Sequence, residues 1–310
     1  MKRLSVLFAF VLNSVFLFPQ VGVTLTKQFI DKYADRVTID THFRVDVSSR
    51  IHPAKEDGGI HIAGTAPEIG LPAVAEIMNA KEERTQAVKV VKDAESSPTS
   101  HEVDISGAWR IWPEHGGEPE TQGVSVPVLD SSGIAHVFEI HPATRIGSEA
   151  IEPTWKPIED YQYKDAEQAF NAYERTHSRV SIAGQKITIS MDIATYNYPR
   201  FLVQLLSEPK EIAGGDGLYA FVKIFSLERD LLVTKRRAVF ATDTPPAKLA
   251  ATKHQGDWIE VVGIPRVSLK LLKWRIENFN KTKWKDKRPL EWNLPYELII
   301  AAIVNPNPPD

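Results

Sequence analysis

The sequence predicts a mainly β, α+β chain: a five-stranded barrel over residues 30–147, then a second β-rich domain over 163–305 with a short leading helix. Three observations predict it. Apolar and polar residues alternate with period two in several separate runs, the pattern of half-buried strands. One stretch, 80–94, switches to helical period. The elements of the first domain fall in the order strand, strand, strand, helix, strand, strand. An OB-like barrel has that order.

Residues 36–47 form the first strand, with Val37, Ile39, Thr41, Phe43, Val45 and Val47 facing inward and Asp40, His42, Arg44 and Asp46 facing out. Lys55 to Gly59 reads as a hairpin turn, after which Ile60 to Gly64 resumes the alternation. Val74 to Met78 is a short apolar run behind Pro72; a single longer helix over 73–92 is the competing reading. In the helix over 80–94, Ala80, Arg84, Ala87, Val88 and Val91 share a face, and Ser96 to Ser100 ends it. Val103 to Ile111 alternates again, with Gly107 as a bulge. Ala135 to Ile146 closes the domain, broken at Pro142.

Residues 148–162, with Pro153 and Pro157, read as a linker. Tyr163, Ala166, Phe170 and Tyr173 recur at helical spacing. Ile187–Ile193, Leu218–Phe225, Leu231–Phe240 and Trp258–Ile264 are the strands of the second domain. Gly107 and Gly263 each lie in a β-patterned run, a faint echo of two related barrels.

Lys2 and Arg3 precede an apolar run from Leu4 to Phe18, closed by Pro19. Residues 1–26 therefore read as a secretory signal peptide, and the protein as periplasmic or extracellular. The run falls short of the ~20 residues of a membrane span. A retained N-terminal anchor is the alternative, since no clean cleavage triplet follows; no second apolar stretch approaches span length.

The chain has 310 residues, 43% hydrophobic and 25% charged, and carries a formal charge of −3. That charge excludes a globally basic nucleic-acid binder. The absence of Cys excludes disulfides, thiolate metal sites and Cys nucleophiles.

Asp57-Gly58-Gly59-Ile60-His61-Ile62, Ala75 to Asn79, Val103 to Trp109, Glu114-His115 and Phe138-Glu139-Ile140-His141-Pro142 form a pattern over 57–146. On these residues the chain resembles a group of bacterial secreted proteins with an OB-like domain that closes in an E-I-H-P strand. It departs from them in having Gly59 where an acid is usual, and in a short insert at 117–131. The resemblance implies a fold and an exported life, and no reaction.

Two sets of residues point to chemistry. Residues 270–288 hold eight Lys and Arg against Glu277 and Asp286, with Trp274, Phe279 and Trp284 interleaved. Basic groups among stacking aromatics fit an anionic polymer. Lys273, Trp274 and Trp284, with Trp109, Arg110 and Trp112 on the barrel, are the candidate ligand residues. Lys235-Arg236-Arg237 adds to the basic set. Separately, seven of nine His lie in the first domain. His115, Glu139 and His141 are the candidate metal ligands, because imidazole and carboxylate suit Zn²⁺ and three ligands leave a position open. By strand alternation Glu139 and His141 share a face and His136 takes the other. His61 is expected to pair with His42 or Asp40 across the strands.

The leading expectation is an exported, non-enzymatic binding or structural protein that needs no cofactor. Its partner would be an anionic glycan, another polyanion or a cell-envelope component. The alternative is a metal-assisted hydrolase with a divalent metal such as zinc.

Overall fold

The structure is a computed structural model that describes residues 20–80, 86–115, 117–124, 135–280 and 290–308. The apolar leader over 1–19, Trp284 and the basic residues 281–288 lie outside the described residues. Among the described residues no helix is long and apolar enough to cross a membrane.

The first half comprises β1 (Gln20–Thr26), α1 (Lys27–Tyr33), β2 (Thr38–Ser48), β3 (Ile60–Thr65), β4 (Pro72–Ile77), α2 (Gln86–Ser96), β5 (Glu102–Ile111), β6 (Glu120–Thr121), β7 (Phe138–Ile146) and β8 (Glu149–Ala150). The second comprises α3 (Ala166–Arg175), β9 (His177–Ala183), β10 (Lys186–Asp192), β11 (Arg200–Leu205), β12 (Lys210–Glu211), β13 (Gly217–Phe225), β14 (Leu231–Ala241), α4 (Pro245–Ala250), β15 (Trp258–Val267), α5 (Leu269–Asn280), β16 (Leu290–Asn293) and β17 (Tyr296–Asn305).

Strands β2, β3, β4, β7 and β5 close a barrel in that spatial order, with β4 and β7 parallel and α2 between the third and fourth strands. This is the OB arrangement expected from the sequence. The alternative helix over 73–92 is excluded, because 72–77 pairs with β3 on one side and β7 on the other. The alternation of β2 is as expected up to Val45, with Ile39, Phe43 and Val45 buried and Asp40, His42 and Arg44 exposed; a register shift between Val45 and Val47 then interrupts it, so that Asp46 turns its side chain inward and Val47 is half-buried.

The second half repeats the design. Strands β11, β13, β14, β17 and β15 close a second barrel in the same order, with β14 and β17 parallel and α4 in the place of α2. The echo between Gly107 and Gly263 is therefore structural: each sits in the fourth strand of its barrel. A Cβ on Gly107 would lie 2.6 Å from the backbone of Ala143, and one on Gly263 would lie 2.8 Å from the Phe201 ring.

A third sheet, ordered β16-β9-β10-β1-β6, draws strands from both halves. Here the boundary at residue 26 is corrected. β1 pairs with β10 over its whole length, and Val21, Val23 and Leu25 are buried, so residues 20–26 belong to the fold. Residues 148–162 are likewise no free linker. They carry β8 and a short 3-10 turn, and Ile151, Trp155 and Ile158 are buried; Trp155 donates its indole N–H to the Ala143 carbonyl. The barrels meet along β5 and β15, where Ala108 and Ile264 sit in a shared apolar core with Val37, Met78, Val239 and Ile299.

Candidate functional site

Among the described residues, two regions that bring chemically capable side chains together bear on the expected sites. The first is a polar cleft of about 450 Å³ at the edge of the first barrel. It is lined on one side by Asp57, His61, Glu76, Glu114 and His115, and on the other by Tyr161, Lys164 and Thr195 to Tyr198. The barrel wall comes from three neighbouring strands. His61 lies on β3, Glu76 opposite it on β4, and Glu139 and His141 on β7. The facing wall is the segment between β10 and β11, where Tyr196 and Tyr198 hold φ values of 80° and 54°. Non-glycine residues are uncommon in that region and persist where surrounding contacts over-determine them. Those contacts include Tyr173, which donates to the Tyr196 carbonyl, and Arg110, which donates to Asn197 Oδ1 at 2.6 Å.

Histidines and carboxylates alternate along the barrel wall. His52 Nδ1 lies 3.0 Å from Asp57 Oδ1, and His61 Nε2 lies 3.8 Å from Asp57 Oδ2 and 3.4 Å from Glu76 Oε1. His141 Nε2 lies 3.1 Å from Glu76 Oε2, and its Nδ1 is 3.0 Å from Glu139 Oε2. Burial opposes the charge on His61, but the Glu76 and Asp57 carboxylates outweigh it and push its pKa up to about 9. Burial also opposes ionisation of Glu139, and here Arg110 wins, holding the carboxyl well below its usual range. His115 moves the other way, burial drawing it down. The Glu76/His141 pair is peculiar to the first barrel. By strand register the second barrel has Val239 and Ile299 at those positions, both buried.

The structure brings Glu139 and His141 of the expected metal set together and leaves His115 3.8 Å from Glu139 Oε1. The three do not fall into one ligand group: His115 gathers with His136 and Glu139, His141 with Glu76 and Glu139, and Arg110 donates to the shared Glu139. His136 is also corrected. It precedes β7, so strand alternation does not govern it, and its Nε2 lies 3.4 Å from Glu139 Oε1. His61 pairs with neither His42 nor Asp40, since the β2–β3 register sets it near Ser49; His42 pairs with Glu68 instead. Asp57 and the Tyr196–Tyr198 segment were missed, because only closure of the barrel gathers them.

Trp109, Arg110 and Trp112 are not on a ligand face, a further correction. β5 is covered on one side by its own barrel core and on the other by β15, and all three side chains are buried. Trp109 donates to the Arg36 carbonyl and stacks under Arg266, whose guanidinium lies 3.8 Å from the ring centroid. Trp112 donates to the Ala194 carbonyl.

The second region lies on the second barrel. A groove of about 380 Å³ runs over β13 and β14 and under the start of α5, lined by Phe221, Lys235, Arg236, Lys270 and Trp274 among others. It sets Lys235, Arg236 and Arg237 beside Lys270 and Trp274 from the start of the second basic stretch. The Lys235 ammonium lies 4.5 Å over the Phe221 ring, and Arg236 lies 4.2 Å over Tyr296. Arg236 pairs with Glu174, Lys270 with Asp35, and Lys273 with Asp31 at 2.8 Å. Trp274 is 59% exposed, an unusual state for so large an apolar side chain.

No family model matches the chain, and no curated relative was found. Among solved structures, the wild-type single-stranded DNA binding protein from Thermus aquaticus is 8% identical over 88% of this chain and 93% of that one, with a TM-score of 0.22. The Ifi202 HINa domain in complex with 20bp dsDNA is 10% identical over 74% of this chain and 85% of its own, with a TM-score of 0.17. At such scores neither likeness bears on what this chain binds.

Proposed function

We propose that the chain is a binding protein for a linear polyanion, held in the groove over β13 and β14. The observation that carries this reading is the convergence of Lys235, Arg236 and Lys270 with Phe221 and the exposed Trp274 on one face. Barrels of this fold hold oligonucleotides and oligosaccharides on the face of their second and third strands, flanked by the segment between the fourth and fifth. In the second barrel those are β13, β14 and the segment that begins at Ser268. The ion pairs of Lys270 and Lys273 with Asp35 and Asp31 are exposed, hence weak and exchangeable for phosphate, sulfate or carboxylate groups. An exported destination, read from Lys2 to Phe18, belongs to the same proposal and favours an anionic glycan.

Anisotropy of a labelled heparin fragment and of labelled oligo(dT), titrated with the full chain at low salt, tests the reading. Saturable binding of either that weakens in Lys235→Ala and Trp274→Ala supports it, and the stronger probe identifies the polymer. Failure of both to bind at low salt overturns it.

A further inference from the structure

Among the described residues, three groups of His and carboxylates bring their ligand atoms close enough to share one cation, and two of them contain Glu139 and with it the Arg110 guanidinium. The third is free of that charge. Asp57 and His61 line the cleft and His52 stands beside them, each partly exposed, with ligand atoms all within 4.8 Å of one another. They come from a short stretch, the loop and 3-10 turn between β2 and β3 and the first residues of β3.

The spacings suit a metal ion. Zn–N and Zn–O bonds of ~2.0–2.2 Å in a tetrahedron set ligand atoms roughly 3.3–3.6 Å apart. The separations here are 3.0 Å for His52 Nδ1 to Asp57, 3.8 Å for His61 Nε2 to Asp57, and 3.4 Å for His61 Nε2 to Glu76. Small side-chain rotations bring these values into range. The two imidazole rings meet edge to face with centroids 4.4 Å apart, both turned to one carboxylate. Supporting hydrogen bonds fix the ligands. Asp57 Oδ1 accepts from the Gly59 N–H at 2.9 Å, and Glu76 lies in ion-pair range of His141, whose ring is hydrogen-bonded to the Tyr198 hydroxyl through Nε2 and to Glu139 through Nδ1. Among the described residues, the ion pairs of Asp57 and Glu76 are with histidines, and no Lys or Arg lies within salt-bridge distance of either. Two imidazoles with carboxylate oxygens are a donor set for zinc-class divalent ions.

We propose that His52 Nδ1, the Asp57 carboxylate and His61 Nε2 bind one zinc-class divalent cation at the mouth of the cleft, with Glu76 and the cleft on the open side. The site is independent of the groove on the second barrel, and neither reading stands on the other.

The experiment uses the untagged full chain, stripped with chelator, dialysed and titrated with Zn²⁺, and separately with Co²⁺ followed by its visible absorption. One equivalent per chain is expected, with cobalt bands of tetrahedral or five-coordinate intensity. His61→Gln and His52→Gln each weaken binding by about 100-fold or more, while His115→Ala binds as the parent does. Circular dichroism and thermal melts establish that each variant is folded. If His61→Gln does not fold, His52→Gln decides alone, since His52 lies in the loop ahead of β3. Binding well below one equivalent overturns the proposal. So does unchanged affinity in a folded His52→Gln variant, or loss of binding in His115→Ala with retention in His52→Gln.

Discussion

Arg110 and Arg266 occupy the same position in the two barrels and reach across the same seam in opposite directions. Arg110 sits three residues after Gly107 and is in register with Glu139; Arg266 sits three residues after Gly263 and is in register with Glu297. Each guanidinium is fully buried and bonded to its register partner. Each then crosses to the other barrel. Arg110 Nε donates to the Pro265 carbonyl at 2.9 Å, and Arg266 Nη1 donates to the Trp109 carbonyl at 3.1 Å. Pro265 and Trp109 are themselves equivalent positions. The barrels are thus locked by one device used twice, which binds the halves into a single unit.

Removing Arg266 deprives the buried Glu297 of one arginine partner and leaves it with Arg237, and breaking a buried pair in this way costs up to about 3–5 kcal/mol. Arg266 also satisfies the carbonyls of Arg36, Val37 and Trp109, so its loss strands backbone acceptors as well. Urea unfolding of Arg266→Met should show a loss in this range, partly restored in the double variant Arg266→Met/Glu297→Leu. A loss under 1 kcal/mol would deny the seam its role.

Glu297 makes the same device sensitive to acid. Burial opposes its ionisation, but Arg266 and Arg237 outweigh it and hold its carboxyl below the usual value of 4.5. Burial draws the Arg266 guanidinium down too, yet a guanidinium starts so far above neutrality that it stays charged. A lowered carboxyl pKa contributes stability that is complete above about pH 4.5 and lost as pH falls through the folded-state value. The advantage of the parent over Glu297→Gln in denaturant midpoint should therefore shrink on acidification from pH 6 to pH 3. An advantage that stays constant or grows would contradict the assignment.

The two fourth-strand glycines are not equally replaceable. At Gly107 a Cβ meets the backbone of Ala143 and Pro142 at 2.6 Å, which cannot move without shifting β7. At Gly263 it meets the edge of the Phe201 ring at 2.8–2.9 Å, which can turn. Gly107→Ala should cost roughly 3 kcal/mol or more and Gly263→Ala about 1–2 kcal/mol, read from thermal midpoints. The reverse order would show that the β5–β7 pairing yields more readily than the ring.

β1 is needed for the third sheet. A chain beginning at residue 27 lacks the antiparallel partner of β10 and the buried side chains of Val21, Val23 and Leu25. It should lose cooperative unfolding or aggregate through the exposed β10 edge, while a chain beginning at residue 20 should unfold as the parent does. Equal melting curves for the two would place β1 outside the cooperative unit.

Trp274 tests the groove quantitatively. Stacking on an exposed aromatic contributes ~1–3 kcal/mol per unit bound. Trp274→Ala should weaken oligo(dT) or heparin binding by about 5–100-fold with an unchanged salt slope. Lys235→Ala should reduce that slope by about one. Identical losses and slopes in both variants would point to disruption of the barrel rather than to two separate contacts.

The first barrel was legible because its signals are local. The period-two faces of residues 36–47 and 60–64, and the change of period before residue 96, come from side chains close together in sequence, and they give the element order from which the barrel follows. The second barrel was visible only as a shared glycine. The fuller repeat, Gly-x-x-Arg in one strand and aromatic-Glu in the next, joins residues about 30 apart, and only strand register shows them as one unit. The same limit misplaced Trp109 and Trp112. In β5 alternation ends at Gly107, since a strand covered on both faces is apolar on both, and nothing local distinguishes a ligand face from a seam. Glu139 lies near both His115 and His141, but the sequence could not show that Arg110 would be delivered to the same carboxylate. By itself the sequence determined periodicity, order and composition, hence a β-rich chain with an OB barrel and a basic, aromatic stretch. Tertiary structure alone decided which charges neutralise each other and which histidines share a carboxylate, because both depend on register and barrel closure between residues distant in the chain.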